Sequence, residues 1–154
     1  VLILGSLDGV ETGIRNLIRT RPLEVEKVRI GDRSLRVPTL AEISRIKAWL
    51  CLMRNATRDY IDFAALADRL GEAEAAAVVA AMDDFYQDQV GPGGRRIATQ
   101  VAKQLAEPRP FDLSEVDLGS YRRLDQRWHD WGAVVDQCRR VAVRVLDRVA
   151  RGAP

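Results

Sequence analysis

The sequence predicts an α+β chain that is predominantly α, on three observations. Apolar residues recur at helical spacing almost without interruption from Thr39 onward. Strand-like runs and glycine turns are confined to the first 38 residues. Between the two regions, Pro38 is followed by Thr39-Leu40-Ala41-Glu42, the pattern in which a threonine and a glutamate satisfy the first orphan amides of a helix. The expected division is therefore an α/β portion over residues 1–38 and a helical domain over 39–154.

Taken in order, Val1 to Leu4 reads as a buried strand, and Val10, Ile14, Leu17 and Ile18 recur at helical spacing until Arg21-Pro22 stops the helix. Val25, Val28 and Ile30, then Gly31-Asp32, then Leu35 and Val37 read as a small hairpin around a glycine-containing turn. Helices are expected near 39–54, 57–70, 72–88, 95–107 and 128–150, with a connector over 108–127 that holds Pro108, Pro110 and Gly119. The last helix has the longest stripe: Trp131, Val134, Val135, Cys138, Val141, Ala142, Val145, Leu146 and Val149. The run from Ala75 to Ala81 favours close helix packing.

Composition narrows the classes. With 154 residues, 47% hydrophobic and 30% charged, the chain can bury a core and is neither disordered nor a membrane span. Val1-Leu2-Ile3-Leu4 is too short for a signal or transmembrane segment, and the missing initiator methionine is what a fragment would show. A net charge of +2 falls short of a nucleic-acid signature. Arginines outnumber lysines, which are only Lys27, Lys47 and Lys103, a skew that phosphate binding and a GC-rich genome explain equally well. Cys51 and Cys138 with one histidine make no zinc pattern, so free thiols in a reducing cytoplasm are expected.

The chemistry is expected where charges meet oily faces. On a wheel from Thr39 to Met53, Leu40, Ile43, Ile46, Leu50 and Cys51 form a stripe, with Lys47 between its halves, Arg54 beside it, and Glu42, Ser44 and Arg45 away from its centre. In the next helix Tyr60, Phe63, Leu66, Ala67 and Leu70 make the stripe, and Asp59 projects between Leu66 and Leu70. Arg58, Asp62 and Arg69 share the flank at pairing distance. A cation and an anion are thus aimed between two helices joined by a turn at Arg54-Asn55-Ala56-Thr57. They either close a salt bridge or, with Arg54 adding positive charge, await an anionic ligand.

These same residues carry a family resemblance. Arg36-Val37-Pro38-Thr39, Ile46-Lys47-Ala48, Arg54 and Arg58-Asp59-Tyr60-Ile61-Asp62 resemble the helical half of the AbiEii/AbiGii-type nucleotidyltransferase toxins, with eleven positions from Lys47 to Arg58 and twelve to Asp59. The resemblance continues weakly through Ala64-Ala65-Leu66-Ala67-Asp68 and the later helices, over residues 20–150, and is sharp only from Pro38 to Gly71. It implies a polymerase-β-like fold, with residues 1–38 the tail of its catalytic domain, and transfer of a nucleotide from a nucleoside triphosphate to RNA such as tRNA. It implies Lys47 and Asp59 as catalytic residues, Lys47, Arg54, Arg58 and Asp62 as nucleotide or phosphate ligands, magnesium held outside this chain, and a cognate antitoxin as partner. The family's Asp-x-Asp is missing. Leu4-Gly5-Ser6 followed by a helix and Glu24-Val25-Glu26 imitates its order.

Gly91-Pro92-Gly93-Gly94-Arg95-Arg96 is a flexible turn or a phosphate cradle; with an RNA acceptor, Arg95, Arg96, Arg139 and Arg140 become backbone contacts. Trp128 and Trp131 read as packing anchors, and His129 has no recognisable partner. The expectation is a cytoplasmic nucleotidyltransferase of toxin–antitoxin or phage-defence type, inactive as this chain alone. The alternative is a non-catalytic helical interaction or regulatory module with a structural Lys47–Asp59 pair.

Overall fold

The computed structural model describes residues 2–15, 19–89, 94–121 and 124–152. It is α+β and mostly helical: two β-hairpins precede five helices. The first hairpin pairs β1 (Leu2–Leu7) with β2 (Val10–Arg15), and the second pairs β3 (Val25–Ile30) with β4 (Arg33–Pro38). The helices are α1 (Leu40–Met53), α2 (Thr57–Leu70), α3 (Glu72–Ala80), α4 (Ile97–Ala106) and α5 (Trp131–Ala150).

Both hairpins turn in two residues. Asp8 and Gly9 both take positive φ, at 51° and 78°, which is the twist-matched geometry that Asp-Gly serves best. Leu7 pairs with Val10 and Ile3 with Ile14, so the segment expected as a helix from Val10 is strand as far as Arg15. Leu17 and Ile18 lie outside the described residues. An i, i+4 spacing of apolar residues suits a strand as well as a helix, and the Asp-Gly turn decides between the readings. The second hairpin forms as expected, with Ile30 opposite Arg33 across Gly31-Asp32.

The expected remnant of a polymerase-β-like domain is not supported. The four strands form two separate antiparallel pairs, with no helix between Ser6 and Glu24 among the described residues. The lookalike metal order is therefore not realised: Leu4-Gly5-Ser6 lies along β1, Glu24 is drawn to Arg45 at 3.1 Å, and Glu26 is exposed on β3.

The helical part follows its sequence closely. Thr39 caps α1, its hydroxyl accepting the Glu42 amide at 3.1 Å. The other half of the capping box is not made, because the Glu42 carboxylate turns inward to Arg19 and Arg45, and the Thr39 amide donates to the Glu24 carbonyl instead. Gly71, at φ 84°, ends α2 and opens α3 in a conformation a side chain would strain. The helix expected over 72–88 shortens: α3 ends at Ala80, then tight 3-10 turns cover Ala81–Asp84 and Gln87–Gln89.

The core is built from α1, α2, α3, α4 and α5 around Phe63, Met82, Val101, Leu105, Val134 and Val141, all without exposed surface. Each contributes roughly 1.5–3 kcal/mol by leaving water. Ala75 and Ala76 let α3 approach α5 closely. One expectation for α1 reverses: Leu40, Ile43, Ile46 and Leu50 are half-buried, whereas Glu42, Ser44 and Arg45 are buried. The guanidinium of Arg45 stacks 3.6 Å over the Phe85 ring, and Glu42 sits between Arg19 and Arg45, with Glu24 supplying the second carboxylate that balances the two arginines.

Candidate functional site

The α1–α2 hairpin brings five expected residues together. The Lys47 ammonium lies 3.2 Å from Asp59 Oδ1 and 2.8 Å from Asp62 Oδ2. Arg54 Nε stands 3.6 Å from Asp59 Oδ2, and Arg58 Nε 3.1 Å from Asp62 Oδ1. Asp59 is 1% exposed and Lys47 23%, so the pair closes from the protein side while the lysine keeps an edge in solvent. The geometry follows from the helical repeat: Asp59 and Asp62, three apart, face the same way on α2 and straddle one cation reaching across from α1. Arg58 also stacks 4.6 Å above the Tyr121 ring, which ties the cluster to the connector after α4.

The turn that sets this hairpin is held from a distance. Asn55 takes φ 50°, a conformation asparagine tolerates, and its amide nitrogen donates to the Arg109 carbonyl at 2.8 Å. Its amide oxygen accepts from the Tyr60 hydroxyl at 2.5 Å and from Gln104 at 2.8 Å. The α2 N-terminus has no local cap. The Thr57 amide and hydroxyl both donate to Asp112 Oδ1 at 2.7 Å, so a residue of the connector caps it. Residues 108–112 therefore pack onto the hairpin, with Pro108 and Pro110 buried.

Beside Lys47 opens a cleft of about 450 Å³. Asp62, Arg69 and Leu66 of α2 line it, and Leu124, Arg127 and Trp128 form its other wall. Arg127 pairs with Asp68 and stacks 4.4 Å over Trp128. This wall was not legible as a site in the sequence: Trp128 is buried, as a packing anchor is, and its neighbour Arg127 meets Asp68 only through the tertiary fold.

The expected RNA-contacting arginines lie elsewhere. Arg96 holds Asp83 at 2.6 Å, whose other oxygen accepts the Ala98 amide and caps α4. Arg95 is exposed. Arg139 donates to the Ala106 carbonyl at 3.2 Å, and Arg140 meets Glu72 at 2.8 Å. The glycine-rich turn at Gly91-Pro92-Gly93 lies outside the described residues. His129 is half-buried in the 3-10 turn Gln126–His129.

Both thiols are free and buried. Burial pushes the Cys138 thiol up to about 12 and raises that of Cys51 well above its ordinary value, so neither is a thiolate near neutrality. Among the described residues, no group of three or more His, Cys, Asp and Glu could hold a metal ion. What the Lys47 cluster presents is therefore a compensated ion network at the lip of a cleft.

Comparison with known proteins gives a different relationship from the one the motif implied. The chain is 40% identical over 131 residues to the heme uptake protein MmpL11 of Mycobacterium tuberculosis, covering 84% of this chain and 13% of that protein. The similarity is to transport proteins. It extends at 37% identity over 131 residues to the mycolic acid-containing lipids exporter MmpL11 of Mycolicibacterium smegmatis, again 84% of this chain and 13% of the relative. It extends at 36% over 134 residues to the probable transport protein MmpL11 of Mycobacterium leprae, 86% of this chain and 13% of the relative. The chain thus spans about 13% of the length of the curated relatives it matches. No family model and no solved structure matches it.

These findings correct the resemblance to AbiEii/AbiGii-type nucleotidyltransferase toxins. They correct with it the expected transfer of nucleotides to RNA, the toxin–antitoxin and phage-defence setting, and the alternative of a non-catalytic helical interaction or regulatory module, in favour of similarity to transport proteins. The toxin-like resemblance is weak outside Pro38 to Gly71, whereas the MmpL11 similarity holds 40% identity over 131 residues. A lysine facing two carboxylates three residues apart is a pattern that ion pairing across any helical hairpin can produce. The cytoplasmic placement is corrected too, since the relatives are named for transport, heme uptake and lipid export. No helix among the described residues is long and apolar enough to cross a membrane.

Proposed function

We propose that this chain is an extramembrane, mostly helical domain of an MmpL11-like membrane transport protein, and that its two hairpins seat it against the remainder of that protein. The observation that carries the reading is the 40% identity over 84% of the chain. The hairpins support the second part. Ile3, Leu7 and Val10 share one face of the first, at 59%, 71% and 66% exposure, and Val28, Ile30 and Leu35 share one face of the second, also exposed. A two-stranded hairpin with an uncovered apolar face is marginal in water and gains most of its stability from a covering layer. In relatives of which the matched residues make up only 13%, the rest of the transporter is the occupant in immediate reach.

Heme or lipid cargo is assigned in this reading to the rest of the transporter. The cleft beside Lys47 is edged by paired charges, and among the described residues no group of three or more His, Cys, Asp and Glu could hold a metal ion. The test is made in a full-length transporter carrying this domain. Leu7→Asp with Leu35→Asp, and separately removal of the whole domain, are expected to lower transport strongly while the protein stays in the membrane at normal abundance. Unimpaired heme uptake and lipid export without the domain would overturn the reading.

A further inference from the structure

The first turn of α3 and the last two turns of α5 enclose a second cleft of about 320 Å³, lined by Ala73, Arg144, Asp147, Arg148 and Arg151. Its position follows from the sequence of α5: residues 144, 148 and 151 are spaced i, i+4, i+7 and therefore share one face. That face flanks the stripe of Val134, Cys138, Val141 and Val145, on the side where α5 packs against α3, so three guanidinium groups stand together along the edge of that contact.

Their commitments within the protein are few. Glu72 takes the Nε of Arg140 at 2.8 Å and the Nε of Arg144 at 3.0 Å, which holds Arg144 at the edge of the cleft. Arg148 makes a long contact of 3.5 Å to the Ala73 carbonyl, and Arg151 forms no ion pair among the described residues. Arg140, Arg144, Arg148 and Arg151 thus face two carboxylates, Glu72 and Asp147, and two positive charges remain uncompensated.

We propose that this cleft is a binding site for a phosphate ester, with Arg148 and Arg151 as its principal ligands and Arg144 completing the fork. Guanidinium groups match phosphate oxygens in pairs, and several converging on one concavity favour a multiply acceptor-bearing anion over a single carboxylate. The volume exceeds what a phosphate group alone fills, leaving space for the alcohol it esterifies. The chemistry is shared by an anionic phospholipid headgroup and by a soluble phosphate ester. The inference rests on this cleft alone and does not require the transporter reading.

The experiment uses the 154-residue chain in two arms: sedimentation with phosphatidylglycerol/phosphatidylcholine vesicles against phosphatidylcholine vesicles, and calorimetric titration with glycerol phosphate against acetate. Arg148→Gln/Arg151→Gln is compared with Lys27→Gln/Arg29→Gln, which removes the same charge from exposed strand positions. The expected result is binding in one arm, weakened about tenfold or more in Arg148→Gln/Arg151→Gln and unchanged in the strand variant, with both retaining the native helical circular dichroism. Vesicle binding without glycerol phosphate binding assigns the headgroup, and the reverse assigns a soluble ester. No binding in either arm, or an equal loss in both variants, overturns the proposal.

Discussion

Asp112 caps a helix that begins 55 residues earlier in the chain. Burial raises its carboxyl, but the Thr57 amide and hydroxyl bonds and the nearby Arg54 charge outweigh that and hold it below its ordinary value. A carboxyl depressed on folding stabilises the protein above its unfolded value of about 3.9, and that contribution disappears as pH falls through the folded value. Asp112→Ala is therefore expected to lose about 1–2 kcal/mol at pH 7 in urea unfolding. The gap between variant and wild type should be constant at neutral pH and narrow below about pH 4. Cys51 and Cys138 make the complementary case. With burial raising both thiols, a thiol reagent at pH 8 should label neither until denaturant is added, and rapid labelling of the folded chain would contradict their burial.

At the scale of elements, the α1–α2 hairpin shows what a helical wheel reads and where it stops. The wheel correctly placed Lys47 and Asp59 toward one another, because the 3.6-residue repeat fixes direction along a regular helix. It misjudged which face of α1 is buried, because α1 contacts α2, α3 and α4 and so is covered on several sides, including the one bearing Glu42 and Arg45. Buried charges look like surface charges in a sequence until their partners are known, and here the partners are Arg19, Glu24 and the Phe85 ring. Lys47→Met should cost roughly 2–3 kcal/mol, short of the ~3–5 expected for a fully buried pair, since Arg54 still stands 3.6 Å from Asp59. Combining it with Asp59→Leu should cost less than the sum of the two single changes, and strict additivity would show that the pair is uncoupled.

Over the whole molecule, the two hairpins and the helical body are unequal in their stakes. The first hairpin exposes its apolar side chains, while Arg19, only four residues past its end, is buried against Glu42. Removing residues 1–15 should leave the helical circular dichroism intact and change stability by no more than about 0.5 kcal/mol. A large loss would place the hairpin within the core-forming unit and weaken the case that it serves an outside surface. The relationship to MmpL11 proteins bears on this same scale, since it is a property of some 131 residues together and of no one motif.

The sequence by itself determined the five helices from Leu40 onward, apart from the C-terminal end of α3, together with the second hairpin and the facing of Lys47 and Asp59. These are set by interactions within a turn or two of chain, which periodicity, capping residues and turn glycines encode directly. Only the tertiary structure decided that Asp112 caps α2, that Glu42 is sandwiched between two arginines, and that Arg127 and Trp128 wall the cleft beside Lys47. It also gathered Arg144, Arg148 and Arg151 against the start of α3. Each of these joins residues far apart in sequence, and a partner's distance along the chain leaves no mark in the local pattern, so burial and charge compensation become visible only once the helices have packed.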